Sequence, residues 1–333
     1  MNNFDFYLQK QLNIHPSAKP QDIVKMCYQA AFGAEHLLFD KEAAYKYFKE
    51  EFENTKAENV ALFEELSPFV ARVNIAAWKY NNLPSDWLFE MFLMSANVES
   101  GGEERFFEYL EAAEKYAGDY VKAYLEKGVR ALHHTSAYRE SERPAYRIVS
   151  AKLVRLIPVL QRVGESTRII AIDGRAASGK STAAAALCKI LGAGVIHMDD
   201  FFLPPSLRTG ERLAQAGGNV HRERFTEEVL PNLKREDAFS YNVFDCSVMA
   251  ISGKRDVARS KIKVIEGAYS LHPAFGDYAD IKVFSTISPD EQMERIIARN
   301  GERMAKMFKE KWIPMEEAYY KAFDIEANSD IVI

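Results

Sequence analysis

Gly174-Arg175-Ala176-Ala177-Ser178-Gly179-Lys180-Ser181 spells the phosphate-binding loop G-x-x-x-x-G-K-[ST] in full. Before it runs Arg168–Asp173, an apolar stretch of strand length and strand composition. After it comes Thr182-Ala183-Ala184-Ala185-Ala186-Leu187, which reads as helix. Strand, glycine-rich turn and helix are the context the motif requires. The glycines let successive backbone N–H groups curl around one centre, and the helix N-terminus adds a favourable dipole. The segment Gly174–Thr182 therefore predicts a nucleotide phosphate cradle. Lys180 is expected on the β- and γ-phosphates and the Ser181 hydroxyl on Mg²⁺, with ATP as the nucleotide.

The loop opens a half of the chain in which short β-branched runs alternate with helices. Candidate strands are 168–173, 194–198, 261–265, 281–287 and 330–333; candidate helices are 180–191, 222–234, 289–300 and 315–323. This alternation predicts an α/β fold, a doubly wound parallel sheet whose ligands bind at the carboxyl ends of the strands. Residues 1–150 read instead as a mainly α-helical domain, with no convincing alternation of period two. Its expected helices are 20–33, with Ile23, Met26, Cys27 and Ala30 on one face, then Lys41–Asn54, Ala57–Glu65, Trp87–Ser95, Glu103–Tyr116 and Asp119–Lys127. Arg147–Val163 reads as an amphipathic connecting helix. The expected division is thus 1–150, a connecting helix and linker at 151–166, and a kinase-like domain at 167–333.

At 333 residues the chain can hold two cores. Net charge is −5, with the acidic excess in residues 1–150, so nucleic acid is not an expected partner. Three distant cysteines, Cys27, Cys188 and Cys246, suggest a reducing compartment. No long apolar run or signal peptide is present, and a cytoplasmic protein without a membrane partner is expected. Nothing in the sequence fixes the oligomeric state; a homo-oligomer is compatible with it.

Several residues could carry chemistry. Asp199 and Asp200 follow the second strand on the ligand side of the sheet. One could take the proton from an attacking hydroxyl and the other could hold a metal-bound water; a solvated, helix-capping turn is the plainer alternative. Lys263–Glu266 is a strand ending in an acid, where Mg²⁺ is expected. Arg295, Arg299 and Arg303 recur every four residues on one helical face. They form either a solvated basic stripe or a lid that brings positive charge to the transferring phosphoryl group.

Residues Arg168–Ile333 resemble the P-loop kinase family of uridine kinase, phosphoribulokinase and bacterial pantothenate kinase, and uridine kinase-like proteins most. The resemblance rests on GRAASGKS, MDDFF, VIEGAYSL, SPDEQMERIIARN and WIPMEEAYY…SDIVI, in the family's order over about half the chain. It implies that Asp199 activates the acceptor hydroxyl and that Glu266 helps organise Mg²⁺; Ser181, from the loop motif, and Asp200, from its place at the strand end, complete the expected metal set. It also implies that Arg295 and Arg299 lie near the ATP phosphates, Arg303 corresponding only loosely. The implied reaction is transfer of the γ-phosphoryl group of ATP to a hydroxyl of a small metabolite. Two departures concern the acceptor. Uridine kinases carry an Asp in the segment matching Gly218–Arg222, where this chain has His221, and a His where it has Met249. His221, Arg222 and Arg224 could hold an acidic acceptor or could form a solvated helix start.

Residues 1–150 resemble no named family. His133–Arg139 and Arg143–Arg147 are dense in His, Tyr and Arg, and either bind an anion, dock or form a polar loop. Glu35-His36 and Arg72-Val73-Asn74 interrupt apolar stretches, where most such groups are satisfied core or cap residues. Metal binding by His36 and His134 is a minor alternative. A rival to the kinase is a nucleotide-gated regulator, in which ATP sets the pose of the helical half. Phosphorylation of nucleic-acid ends is a third reading, disfavoured by the acidic first half.

Overall fold

In the computed structural model, which describes residues 4–34, 40–96, 102–122 and 145–333, the chain divides into two units, Met1–Ile157 and Pro158–Ile333. The first begins with α1 (Phe4–Ile14), α2 (Pro20–Phe32) and α3 (Lys41–Asn54), then β1 (Phe63–Glu65), β2 (Val70–Asn74), α4 (Ile75–Tyr80), α5 (Ser85–Ala96) and α6 (Gly102–Ala117). It closes with β3 (Tyr146–Ser150) and α7 (Ala151–Val154); α8 (Ile157–Arg162) follows at the boundary. Pro20 opens α2 at its first turn and Gly33, at φ 60°, closes it. Asp40 caps α3 by accepting from the Glu42 and Ala43 amides.

Helix α2 is the core of this unit. Every residue from Ile23 to Ala31 is buried, so it is covered all round and not on the single face its periodicity suggested. It lies against α6, where Tyr28 meets Phe106 edge-on. Phe4 of α1 stacks on Tyr109 of α6 at 3.7 Å between centroids.

Three strands appear where helix or no strand was expected. β1, β2 and β3 form an antiparallel sheet in that order, with Val73 opposite Phe63 and Asn74 opposite Tyr146. Ala57–Glu65 is therefore not a helix, and Arg147–Val163 is a strand followed by two short helices. The alternation is real but short. In β2 Ala71 and Val73 are buried while Arg72 and Asn74 are half-buried, and β3 comes from far along the chain, so local periodicity could not reveal it. The clusters His133–Arg139 and Glu35-His36, with Arg143 and Pro144, lie outside the described residues.

The second unit runs β4 (Ile169–Gly174), α9 (Lys180–Leu191), β5 (Gly194–His197), a 3₁₀ turn at Met198–Phe201, α10 (Gly210–Ala214) and α11 (Arg222–Glu228). A hairpin of β6 (Phe239–Asp245) and β7 (Ala250–Val257) follows. Then come β8 (Lys263–Glu266), β9 (Ile281–Ser285), α12 (Pro289–Met307), α13 (Ile313–Ala322) and β10 (Ile331–Val332). The sheet order is β10-β9-β4-β8-β5, with every pair parallel. This is an α/β P-loop fold. All of β4 is buried, as a central strand covered on both faces must be.

Three local departures have clear causes. The hairpin was not foreseen because all of β7 except Val257 is exposed and polar enough to hide its period. The expected helix 222–234 stops at Glu228 before a 3₁₀ turn containing Pro231, which lacks an N–H. In α12, Gly301 at φ 76° and ψ 165° breaks the helix, so Arg303 does not share one continuous face with Arg295 and Arg299. Among the described residues no helix is long and apolar enough to cross a membrane.

Asn74 ends β2 and caps α4, its Oδ1 accepting from the amides of Ala76 at 2.9 Å and Ala77 at 3.3 Å. Asn74→Ala should cost about 1 kcal/mol in urea unfolding. An unchanged midpoint would show that the cap contributes nothing.

Candidate active site

Backbone geometry builds the loop. Gly174 sits at φ 134°, and a Cβ there would lie 2.0 Å from the Ser285 carbonyl oxygen. Only glycine lets β4 run this close to β9 as the loop begins. Gly179, at φ 95°, then turns the chain into α9. Between them Ala177 also holds a positive φ of 60°. Ser181 and Thr182 stand exposed at the start of α9. Lys180 is folded back, donating to the carbonyls of Gly174 at 2.6 Å and Arg175 at 2.8 Å.

A buried carboxylate anchors this end of the sheet. Asp173 is fully buried; Oδ1 accepts from the Gly174 and Tyr269 amides, and Oδ2 from the Leu271 amide and the Tyr319 hydroxyl. Burial raises its pKa, while these donors oppose the rise.

The sheet register brings the acids together. Glu266 pairs with Ile172 on one side and His197 on the other. Its Oε2 accepts from Ser181 Oγ at 3.0 Å, and its Oε1 meets His197 Nδ1 at 2.6 Å. Gly267 keeps this tip close to the Asp199 turn, because a Cβ on it would strike Met198 Cβ at 2.9 Å. Asp199 remains solvent-exposed at the turn. The protein mass around its carboxyl still raises the pKa by desolvation; the Glu266 and Asp200 charges add to the rise, and Lys180 and His197 oppose it.

Asp200 has a different task from the metal role expected of it. It is buried, and both of its oxygens receive the Arg255 guanidinium, at 2.7 and 3.1 Å. Tyr241 Oη donates to it at 2.9 Å. A carboxylate used in this way fixes the 3₁₀ turn to the hairpin.

The outer side of the loop is braced from α12 and α13, in part by Gln292 and Glu316, to which the sequence assigns no role. Gln292 donates to the Ala176 carbonyl at 3.0 Å, and Glu316 accepts from the Ala176 amide at 3.1 Å. Arg295 reaches the Ala177 carbonyl at 3.2 Å and pairs with Glu291. Arg175 turns its side chain away from the cradle, to Glu317, Glu326 and Thr286, so only its backbone can face a phosphate. Arg299 is exposed, with its Nε on the Asn300 side chain; Arg303 lies beyond the Gly301 break. The loop, Asp199 and Glu266 are thus brought together, Arg295 joins them through the backbone, and Arg299 and Arg303 stay outside.

On the acceptor side, His221 caps α11 by accepting from the Arg224 amide at 3.3 Å. Arg222 donates to Gln215, and Arg224 is buried over the Phe201 ring with Nη2 on the Asp200 carbonyl. Met249 occupies the β6–β7 turn at φ 57°. Among the described residues no three or more His, Cys, Asp or Glu side chains gather to hold a metal ion by themselves.

No known protein family and no curated protein matches the sequence. Among solved structures, a possible uridine kinase from Bacillus stearothermophilus is 21% identical, covering 55% of this chain and 97% of that one, with a TM-score of 0.41. A protein proposed to be a fructose transport system kinase from Silicibacter sp. TM1040 is 24% identical over 55% of this chain and 98% of its own, with a TM-score of 0.44. The YGR205w protein is 14% identical over 53% and 87%, with a TM-score of 0.37.

Glu316 gives the site a measurable pH signature. Burial pushes its carboxyl up to about 7, with Asp173 and Asp199 adding to the rise and Lys180 and the Ala176 amide opposing it. A carboxyl that holds its proton more tightly when folded favours the fold at low pH. That contribution is lost as pH rises from the ordinary carboxylate range toward 7. Glu316→Gln, which imitates the neutral acid, should be the more stable protein at pH 8, by on the order of 2–3 kcal/mol. The gap should shrink steadily toward pH 5 in urea unfolding. A gap that is constant with pH would assign Glu316 an ordinary pKa.

Proposed function

We propose that the second unit is an ATP-dependent kinase that transfers the γ-phosphoryl group to a hydroxyl of a small metabolite. The reading rests above all on the approach of Ser181 Oγ to Glu266 Oε2, at 3.0 Å, beside the Lys180 loop and the Asp199 turn. A hydroxyl and a carboxylate are hard oxygen donors suited to Mg²⁺, which takes few protein ligands and completes its shell with water and phosphate. Ser181 and Glu266 would hold the ion, which would neutralise charge on the β- and γ-phosphates.

The protein's own groups divide the remaining work. The 174–181 backbone and Lys180, released from the loop carbonyls, bind the triphosphate. Asp199, with its raised pKa, accepts the proton of the acceptor hydroxyl; a base whose pKa lies nearer the working pH is the better one. Arg295, already at the loop, supplies positive charge to the phosphoryl oxygens, and Arg299 is the next arginine along the same helix. Uridine or a related nucleoside is the leading acceptor, on the strength of the sequence resemblance. The commitment of His221 to a helix cap and the position of Met249 in a turn leave room for another alcohol.

Lys180→Ala should abolish turnover. Asp199→Asn should lower kcat by about 10²–10⁴-fold with ATP affinity nearly unchanged. Both are read from ADP formation with nucleosides, sugars and pantothenate-like alcohols as acceptors. Wild-type kcat in Asp199→Asn would remove the base assignment. ADP formation indifferent to every acceptor would favour a nucleotide-gated regulator.

A further inference from the structure

The first unit contains a buried polar cluster that phosphoryl transfer in the second does not use. Its centre is Arg72 on β2, half-buried and facing α2. The Arg72 Nε and Nη2 both donate to Gln29 Oε1, at 3.0 and 2.7 Å, and Nη1 reaches Gln11 Oε1 at 3.4 Å. The guanidinium lies 4.9 Å from the centroid of the Tyr146 ring, and the Lys25 ammonium lies 5.9 Å from the same centroid. Gln11, Lys25 and Gln29 are each more than nine-tenths buried.

The hydrogen-bond polarity of this cluster is fixed. A guanidinium can only donate, so Gln29 must turn its carbonyl oxygen toward Arg72. Its Nε2 then donates to Tyr146 Oη at 2.9 Å. Tyr146 accepts there, which leaves its own proton to be given elsewhere. Arg72 has five N–H donors and spends three of them on neutral amides. No described carboxylate lies within ion-pair distance of it. Glu64, its cross-strand neighbour, is taken by His15 at 2.9 Å. Arg147, on β3 of the same unit, shows the usual structural solution, a direct pair with Glu51. Arg72 is oriented by neutral acceptors, has no ion-pair partner among the described residues, and stays half-buried, so its two remaining N–H groups are open to an anion.

We propose that the first unit binds an oxyanion, the phosphate or carboxylate group of a small molecule, on Arg72, with the Tyr146 hydroxyl as a further donor. The planar fork of Arg72 suits two oxygens of such a group at once.

Inorganic phosphate is the probe, with bound phosphate counted by equilibrium dialysis of the full chain. Arg72→Gln should lose one phosphate site per chain, and Lys180→Ala should keep that site, which separates it from the nucleotide loop. Tyr146→Phe should weaken it about tenfold, the value of one charge-assisted hydrogen bond. Competition by acetate would mark a carboxylate rather than a phosphate ligand. Arg72→Gln protein that keeps its circular dichroism and binds phosphate like the parent would overturn the proposal. If that variant fails to fold, unchanged affinity in Tyr146→Phe overturns it instead.

Discussion

The second unit depends on one carboxylate, Asp173, sealed beneath the phosphate-binding loop. Its four acceptor positions collect the first amide of the loop, two amides from the segment after β8 and a hydroxyl from α13. A buried charge is tolerated only when donors surround it, and in return it holds those donors in register. The elements it joins carry the loop, the Glu266 tip and the Glu316 brace. The geometry of the candidate site therefore follows from satisfying a single buried group.

Around that anchor, the site's side chains fall into two sets. Ser181, Glu266, Asp199 and Lys180 lie at or just beyond the carboxyl ends of β4, β5 and β8. Gln292, Glu316, Arg175 and Arg295 hold the loop from its outer side, and three of them bond its backbone directly. A loop that needs several amides aimed at one point gains from such bracing, because pre-aimed dipoles need no reorganisation when a charge arrives.

The sequence made the first set readable, because a glycine-lysine motif between a strand and a helix constrains backbone and chemistry together. The parallel sheet was readable for a similar reason, since fully buried strands such as β4 leave unbroken apolar runs. Half of the bracing set was not, namely Gln292 and Glu316. Glu316 and Gln292 sit in helices whose charged residues look like any solvated face, and only tertiary contact shows which of them turn inward. The pairing of Asp200 was not readable, because adjacent carboxylates look alike until Arg255, 55 positions later, reaches one of them. The strands of the first unit escaped notice because β1 and β2 are only three and five residues long and β3 comes from far along the chain. Arg72 and Tyr146 stand out in the sequence as polar residues, but only the pairing of β2 with β3 shows that they meet.

The break at Gly301 divides the longest described helix into two parts. Gln292 and Arg295, which grip the loop, lie upstream of it; Arg303 and the π-helical stretch Phe308–Trp312 lie downstream. A continuous helix would act as a lever and pass any tilt of its far end into the loop. With its hydrogen-bond ladder interrupted by a residue in a conformation that L side chains rarely adopt, the far segment meets the loop through side chains instead: Ala305 packs with Ala176 and Ile296 in one apolar cluster, and Phe308 lies against it.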